Sequence, residues 1–139
     1  MIVSTITFTA AALLVSIPVE HVLVLIPSLF LVGFFFAQLG VLVGVRAEQF
    51  DDISFYQTFL LTPLIFLGGV FYSAELLPEP FQTLTYFDPV YYMIGLVRYG
   101  FLGYSDTSVA LSLLFLAAAT LALFATNYRL FTSGYRLRA

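Results

Sequence analysis

From Val22 to Val45 the chain runs without a single charged residue. A helix of that length, at about 1.5 Å per residue, exceeds the roughly 30 Å hydrocarbon core of a bilayer. Similar uncharged runs recur over residues 2–17, 54–73 and 108–126. Only 9% of residues are charged and 61% are hydrophobic, with a mean hydropathy of +1.02. A soluble domain has roughly a quarter of its residues charged, so this chain cannot cover itself with a solvated surface. The sequence therefore specifies an integral membrane protein. Because the runs continue to the C-terminus, a cleaved leader peptide does not explain them.

Composition removes several function classes. There is no Cys, so disulfides and thiolate metal sites are out. The lone His21, beside Glu20 between two apolar runs, cannot hold a metal by itself and reads as a loop residue. All five basic residues are Arg and the pI is near 4.7, which leaves no basic face for nucleic acid. No Ser or Thr has a base near it in sequence apart from that His. Gly68-Gly69 lies mid-span without the Lys that a phosphate loop needs. The residues thus predict no enzyme and no cofactor, and any ATP hydrolysis must come from another chain.

Taken in order, residues 2–17 form a slightly short span. Thr5, Thr9, Ala12 and Ser16 fall on one helical face there, a small and hydroxylated stripe suited to helix packing. The second span, 22–45, places Gly33, Gly40 and Gly44 on one face, and Gly40 to Gly44 is a literal GxxxG. Small residues let helix backbones approach where no hydrophobic force drives association. Close packing within the chain is the first reading of that face, and dimerisation the second. Residues 46–54 follow as a water-exposed loop bearing Arg46, Glu48, Asp51 and Asp52, with Asp52 or Ser54 the expected cap of the next span. The third span, 54–73, contains Pro63, which predicts a kink, and the soft pair Gly68-Gly69 a turn later.

After Ser73 the pattern breaks. Pro78-Glu79-Pro80 opens a short piece over Phe81 to Phe87. Asp88-Pro89 then sets an N-cap beside an N1 proline and starts a second helix to about Leu102. Neither piece is long enough to cross, so residues 78–103 read as a re-entrant hairpin, tolerated only where protein or water satisfies its ends. Tyr72, Tyr86, Tyr91, Tyr92, Tyr99 and Tyr104 gather here, as expected for an aromatic belt at one interface. Arg98 is the single charge of the second piece and requires a partner, Asp88 or Glu75, or an escape to the surface. Asp106 or Thr107 would cap the last span, 108–126. Arg46, Arg129, Arg136 and Arg138 fall on one side of the membrane and Arg98 alone on the other. The positive-inside rule then puts the tail and the Arg46 loop in the cytoplasm and the hairpin outside.

The segments Asp51-Asp52-Ile53-Ser54, Thr58-Phe59, LTPLIFLGGVFYSAELLPEPFQ, Asp88-Pro89-Val90-Tyr91-Tyr92 and Arg98-Tyr99-Gly100-Phe101-Leu102-Gly103 together resemble the C-terminal half of ABC-2 type permeases. The similarity is to the drug-export and nodulation-type branch, and its dense part covers about residues 50 to 105. The resemblance implies the transmembrane subunit of an ATP-binding-cassette exporter, embedded in the cell membrane with its C-terminus cytoplasmic. It implies a separate soluble ATPase on the cytoplasmic face, pairing of permease subunits as homo- or heterodimers, and four spans equivalent to the family's third to sixth. It would make Pro63, Gly68 and Gly69 hinge positions, and Pro78, Asp88, Pro89 and Arg98 parts of an external closure. The ATPase would be met by the loop carrying Arg46, Glu48, Asp51 and Asp52. The family's amphipathic N-terminal helix, two further spans and main coupling loop have no counterpart here, so the chain looks like a fragment, a split product or a late start.

The expectation is therefore an all-α polytopic membrane protein with four transmembrane helices and an external re-entrant hairpin. Its expected role is the permease part of an exporter of hydrophobic or lipid-linked substrates. A non-transporting scaffold and a small ATP-independent channel are the alternatives from other classes.

Overall fold

The structure is a computed structural model that describes residue 6 and residues 19–47, 49–69 and 76–133. The expected first span, Glu48, Glu75 and the Arg136–Arg138 tail lie outside the described residues, which are helical with no strand among them. Helix α1 covers Val22–Arg46, α2 Phe50–Tyr56 and α3 Thr62–Leu67, with a π-helical turn, Gln57–Leu61, joining α2 to α3. Helices α4 (Glu79–Phe87) and α5 (Pro89–Leu102) form the expected short pair, and α6 covers Val109–Thr132. Two of these, α1 and α6, are long and apolar enough to cross a membrane.

The third expected span differs from its prediction in two ways. It starts at Phe50, and neither Asp52 nor Ser54 is its N-cap. Gln49 takes that position in a capping box, its backbone N–H donating to Asp52 Oδ2 at 3.1 Å. Asp51 and Asp52 thereby lie in the first turn of a helix, where the helix dipole favours them. The kink expected at Pro63 is displaced as well. A helical proline offers no N–H to the carbonyl four residues back and its ring crowds that carbonyl. Widening the preceding turn into a π-helix relieves the conflict over Gln57–Leu61. The helix ends at Gly68 and Gly69, the latter at φ 76, a left-handed conformation that favours glycine.

The last span also differs. Its cap is Ser108, whose hydroxyl accepts the Leu111 N–H, and the helix continues beyond Thr126 to Thr132. Asp106 and Thr107 are engaged elsewhere, the first with Arg98 and the second with the Ser112 hydroxyl at 2.8 Å. At the elbow before α5 the prediction holds. The Asp88 carboxylate accepts the Val90 N–H at 2.8 Å and Pro89 follows at the first helical position.

Helix α5 is the centre of the packing. It lies against α1 and α6, which also pack on each other. The shared core is Phe35 from α1, Val90, Met93 and Leu96 from α5, and Leu116 from α6, with Leu96 and Leu116 fully buried. Gly100 lets α1 approach, since a Cβ there would stand 2.8 Å from Leu25 Cβ. The backbone N–H of His21 donates to Gly100 O at 3.1 Å, and its ring stacks on Tyr99 at 4.6 Å. Near the other end, Asn127 Nδ2 donates to both the carbonyl and the side-chain oxygen of Gln38, at 2.8 and 2.7 Å. By contrast Leu23, Leu114, Leu121 and Phe30 project outward and are more than half exposed. In water that surface would be untenable, whereas in lipid it is the natural exterior.

Candidate functional site

Of the residues singled out by sequence, Gly68, Gly69 and Arg98 meet in one place, the junction of the Gly68–Gly69 turn with α4 and α5. Three side chains from the hairpin seize the turn. Thr85 donates its hydroxyl to Leu67 O at 3.1 Å, with Phe81 O also in reach at 3.0 Å. Val90 presses on Gly68 so closely that a Cβ on the glycine would lie 2.7 Å from Val90 Cγ1. Arg98 reaches the Gly69 carbonyl at 3.4 Å with one guanidinium nitrogen and Asp106 Oδ2 at 2.6 Å with another.

Among the described residues the acid paired with Arg98 is thus Asp106 and not Asp88, while Glu75 lies outside them. Asp88 faces the start of its own helix, while Asp106, in the loop between α5 and α6, stands beside the guanidinium. Gly95 helps the loop approach, because a side chain there would meet Ser105 Oγ at 3.0 Å and Thr107 Oγ1 at 3.3 Å. Gly69, Tyr91, Gly95, Arg98 and Asp106 line a small crevice at the junction, and the ion pair at its edge is partly exposed.

Asp88 is buried, at 5% exposure, and its Oδ2 has no hydrogen-bond partner. Burial pushes its carboxyl up to about 6, against the Val90 N–H, which favours the anion. The tyrosines beside it do not all face outward, as the interfacial belt expected from the sequence would. Tyr86 and Tyr104 are exposed, but Tyr91 and Tyr92 are buried, with Tyr92 stacked on Phe115 at 4.3 Å and donating to Tyr86 O at 2.8 Å. Pro78, the N-cap of α4, stands exposed at the hairpin's entry, and its carbonyl accepts from Phe81 and Gln82.

A second feature lies between α1 and α2. Gly40 and Gly44 line an apolar cleft of about 260 Å³ with Phe36, Val43, Tyr56 and Leu60. Nothing lies within 4 Å of where their Cβ atoms would be, so the described chain does not use this face for the close internal packing expected of it. Gly33, two turns earlier, is half-buried. At the same end Asp51 is exposed and Asp52 closes the capping box.

The His21–Tyr99 stack and the Arg98–Asp106 pair are contacts that sequence reasoning missed. The only signal for either was an unpaired ionisable or aromatic group at the border of an apolar run, which does not name its partner.

Residues 1–102 match the ABC-2 type transporter family. The chain belongs to that family. It is 43% identical over 112 residues to the inner membrane transport permease YadH of Escherichia coli (strain K12), a match covering 81% of this chain and 44% of that permease. It is 39% identical over 90 residues to nodulation protein J of Sinorhizobium fredii (strain NBRC 101917 / NGR234), covering 65% of this chain and 34% of that protein. A further nodulation protein J, from Rhizobium leguminosarum bv. viciae, is 36% identical over 86 residues. Each match takes in less than half of the relative's own length. No solved structure matches the chain. The family match includes the junction up to α5, so Gly68, Gly69, Asp88, Pro89 and Arg98 sit within the ABC-2 region, while Asp106 lies just beyond it.

Proposed function

We propose that this ABC-2 protein is a transmembrane permease subunit of an ATP-binding-cassette exporter, moving a hydrophobic or lipid-linked substrate outward. In this reading residues 2–17, α1, the α2–α3 segment and α6 are the four crossings. Helices α4 and α5 dip in from the outer face and close the external mouth over the hinge at Gly68 and Gly69. A soluble ATPase subunit drives the cycle from the cytoplasm, meeting the loop of Arg46, Glu48, Asp51 and Asp52. A second permease subunit completes the path, and the apolar exterior sits in membrane lipid.

The observation that carries this reading is the burial of α5. A helix of 14 residues is about 21 Å long and too short to cross, yet it is the element that α1, α3, α4 and α6 all pack against. A piece too short to cross and largely covered by protein is what a closure at one face requires.

The test is topology together with partnership. Single cysteines at Glu79 and Tyr104 should react with an impermeant maleimide only from outside the cell, and one at Asp51 only from inside. Affinity purification of the chain from its source membranes should bring down a soluble protein with a Walker A motif. Labelling of Glu79→Cys from the cytosol alone would invert the topology and end the exporter reading. Ion conductance by the purified chain without ATP would point to a channel instead.

A further inference from the structure

Among the described residues Asp88 is the only buried acidic or basic side chain. It sits at the elbow between α4 and α5, with one oxygen on the Val90 N–H and the other sealed from solvent without a partner. The residues flanking it are the ones that grip the turn. Thr85 holds Leu67 O from the α4 side, and Val90 covers Gly68 from the α5 side. A buried anion with one hydrogen bond is costly, and a neutral carboxyl in the same place is less so. Whatever changes the charge at Asp88 therefore changes how well both flanking contacts are held.

We infer that Asp88 is a proton-responsive catch, holding the α4–α5 elbow on the Gly68–Gly69 turn firmly when its carboxyl is neutral and loosely when it is ionised. The consequence for the external mouth rests on the proposed permease reading, whereas the catch itself is a property of the elbow. Its behaviour follows from its surroundings. Burial pushes the docked carboxyl up to about 6, and the Val90 N–H is the sole group opposing that rise. The other ionisable groups around it lie on the packed elements. On α4 these are Glu79, exposed at its first turn, and Tyr86. On α5 they are Tyr91 and Tyr92, both pushed further up by burial, Tyr99 and the paired Arg98. Asp106 belongs to that pair, α3 has no ionisable residue, and His21 with Glu20 stands at the Tyr99 end of α5. At the far end of α6 are Tyr128 and Arg129.

The sign is fixed by linkage. A carboxyl freed by undocking titrates in the ordinary range near 4, and the docked one near 6. Docking is strongest below about 4, weakens as pH rises between these values, and levels off above about 6. Between pH 5 and 7.5 the opening equilibrium should rise about tenfold.

The chain contains no cysteine, so single thiols report cleanly. The full chain in detergent micelles exposes both faces to reagent, which makes the result independent of topology and of any transport activity. The reaction rate of Val90→Cys, buried in the elbow, is divided by that of Thr83→Cys, exposed on α4, to cancel the thiol's own ionisation. The ratio should rise about tenfold from pH 5 to 7.5 and become flat with Asp88→Asn or Asp88→Ser. Both replacements keep a helix-capping side chain and remove the proton. A ratio equal at the two pH values with Asp88 intact, or a rise that persists with either replacement, overturns the inference. Failure of the permease reading would show instead in the vesicle labelling and the ATPase co-purification.

Discussion

Val90 rests directly on the Cα of Gly68, with Cγ1 2.7 Å from the point a Cβ would occupy. Gly68 has φ −64, which any residue adopts, so the glycine is needed here for space and not for its backbone. Gly68→Ala should push the elbow off the turn and cost about 1–3 kcal/mol, the usual range for overpacking. Shortening the partner should return part of it. Thermal unfolding in detergent of Gly68→Ala, Val90→Ala and the double variant would show this as a favourable coupling. Additive losses would mean that the two residues do not share the contact.

Arg98 spans two elements with one planar group, its guanidinium touching Asp106 on one side and the Gly69 carbonyl on the other. A lysine ammonium is a point donor and cannot fork between them. Arg98→Lys should therefore lose most of what Arg98→Ala loses. The pair is partly exposed, at 22% and 37%, so Asp106→Asn alone should cost no more than about 1 kcal/mol. Its effect should shrink as salt is raised. A lysine variant as stable as the parent at low salt would show that the carbonyl contact contributes nothing.

Much of this arrangement was legible in the residues, and what was not has a physical reason. Asp88-Pro89 announced a helix start because capping chemistry is local, and the structure has that start and the end at Leu102. The uncharged runs announced α1 and α6 for the same kind of reason, since hydropathy is summed along the chain. The partner of Arg98 was not legible. The sequence offered Asp88 and Glu75, and the pairing with Asp106 depends on how the loop after Gly103 folds back over Gly95. The burial of Tyr91 and Tyr92 was hidden likewise, because a tyrosine looks the same in sequence at an interface and in a core. The fate of Gly40 and Gly44 could not be read either, as a small-residue face does not say whether its complement is in the same chain.

Asn127 ties α6 to α1 through two bonds from one amide nitrogen to Gln38. The residue lies beyond the expected end of the span, and its place within the helix explains why the helix continues past Thr126. Bonds of this kind between membrane helices contribute about 0.6–2 kcal/mol. Asn127→Leu should fall in that range, because Gln38 loses its donor although apolar volume is kept. Asn127→Asp should cost more, placing a carboxylate against two acceptor oxygens. Unfolding midpoints in mixed micelles would rank the variants, and an aspartate variant equal to the leucine one would remove Gln38 from the account.

The π-turn at Gln57–Leu61 is the cost of Pro63 written into the backbone. Restoring the missing N–H with Pro63→Ala lets the carbonyl four residues back regain its bond, and an α-helical turn closes more tightly than a π-turn by one residue. The variant should convert Gln57–Leu61 to α-helix and rotate α2 about its axis by roughly 100° relative to α3, the angle of one residue. Stability should rise, while the cleft against Gly40 and Gly44 should change its lining, with Tyr56 and Leu60 turned away. Amide exchange should report stronger protection across residues 57–63, and single cysteines at Tyr56 and Leu60 should show altered labelling. Unchanged exchange and labelling would mean that packing against α1 holds the π-turn, with the proline a bystander.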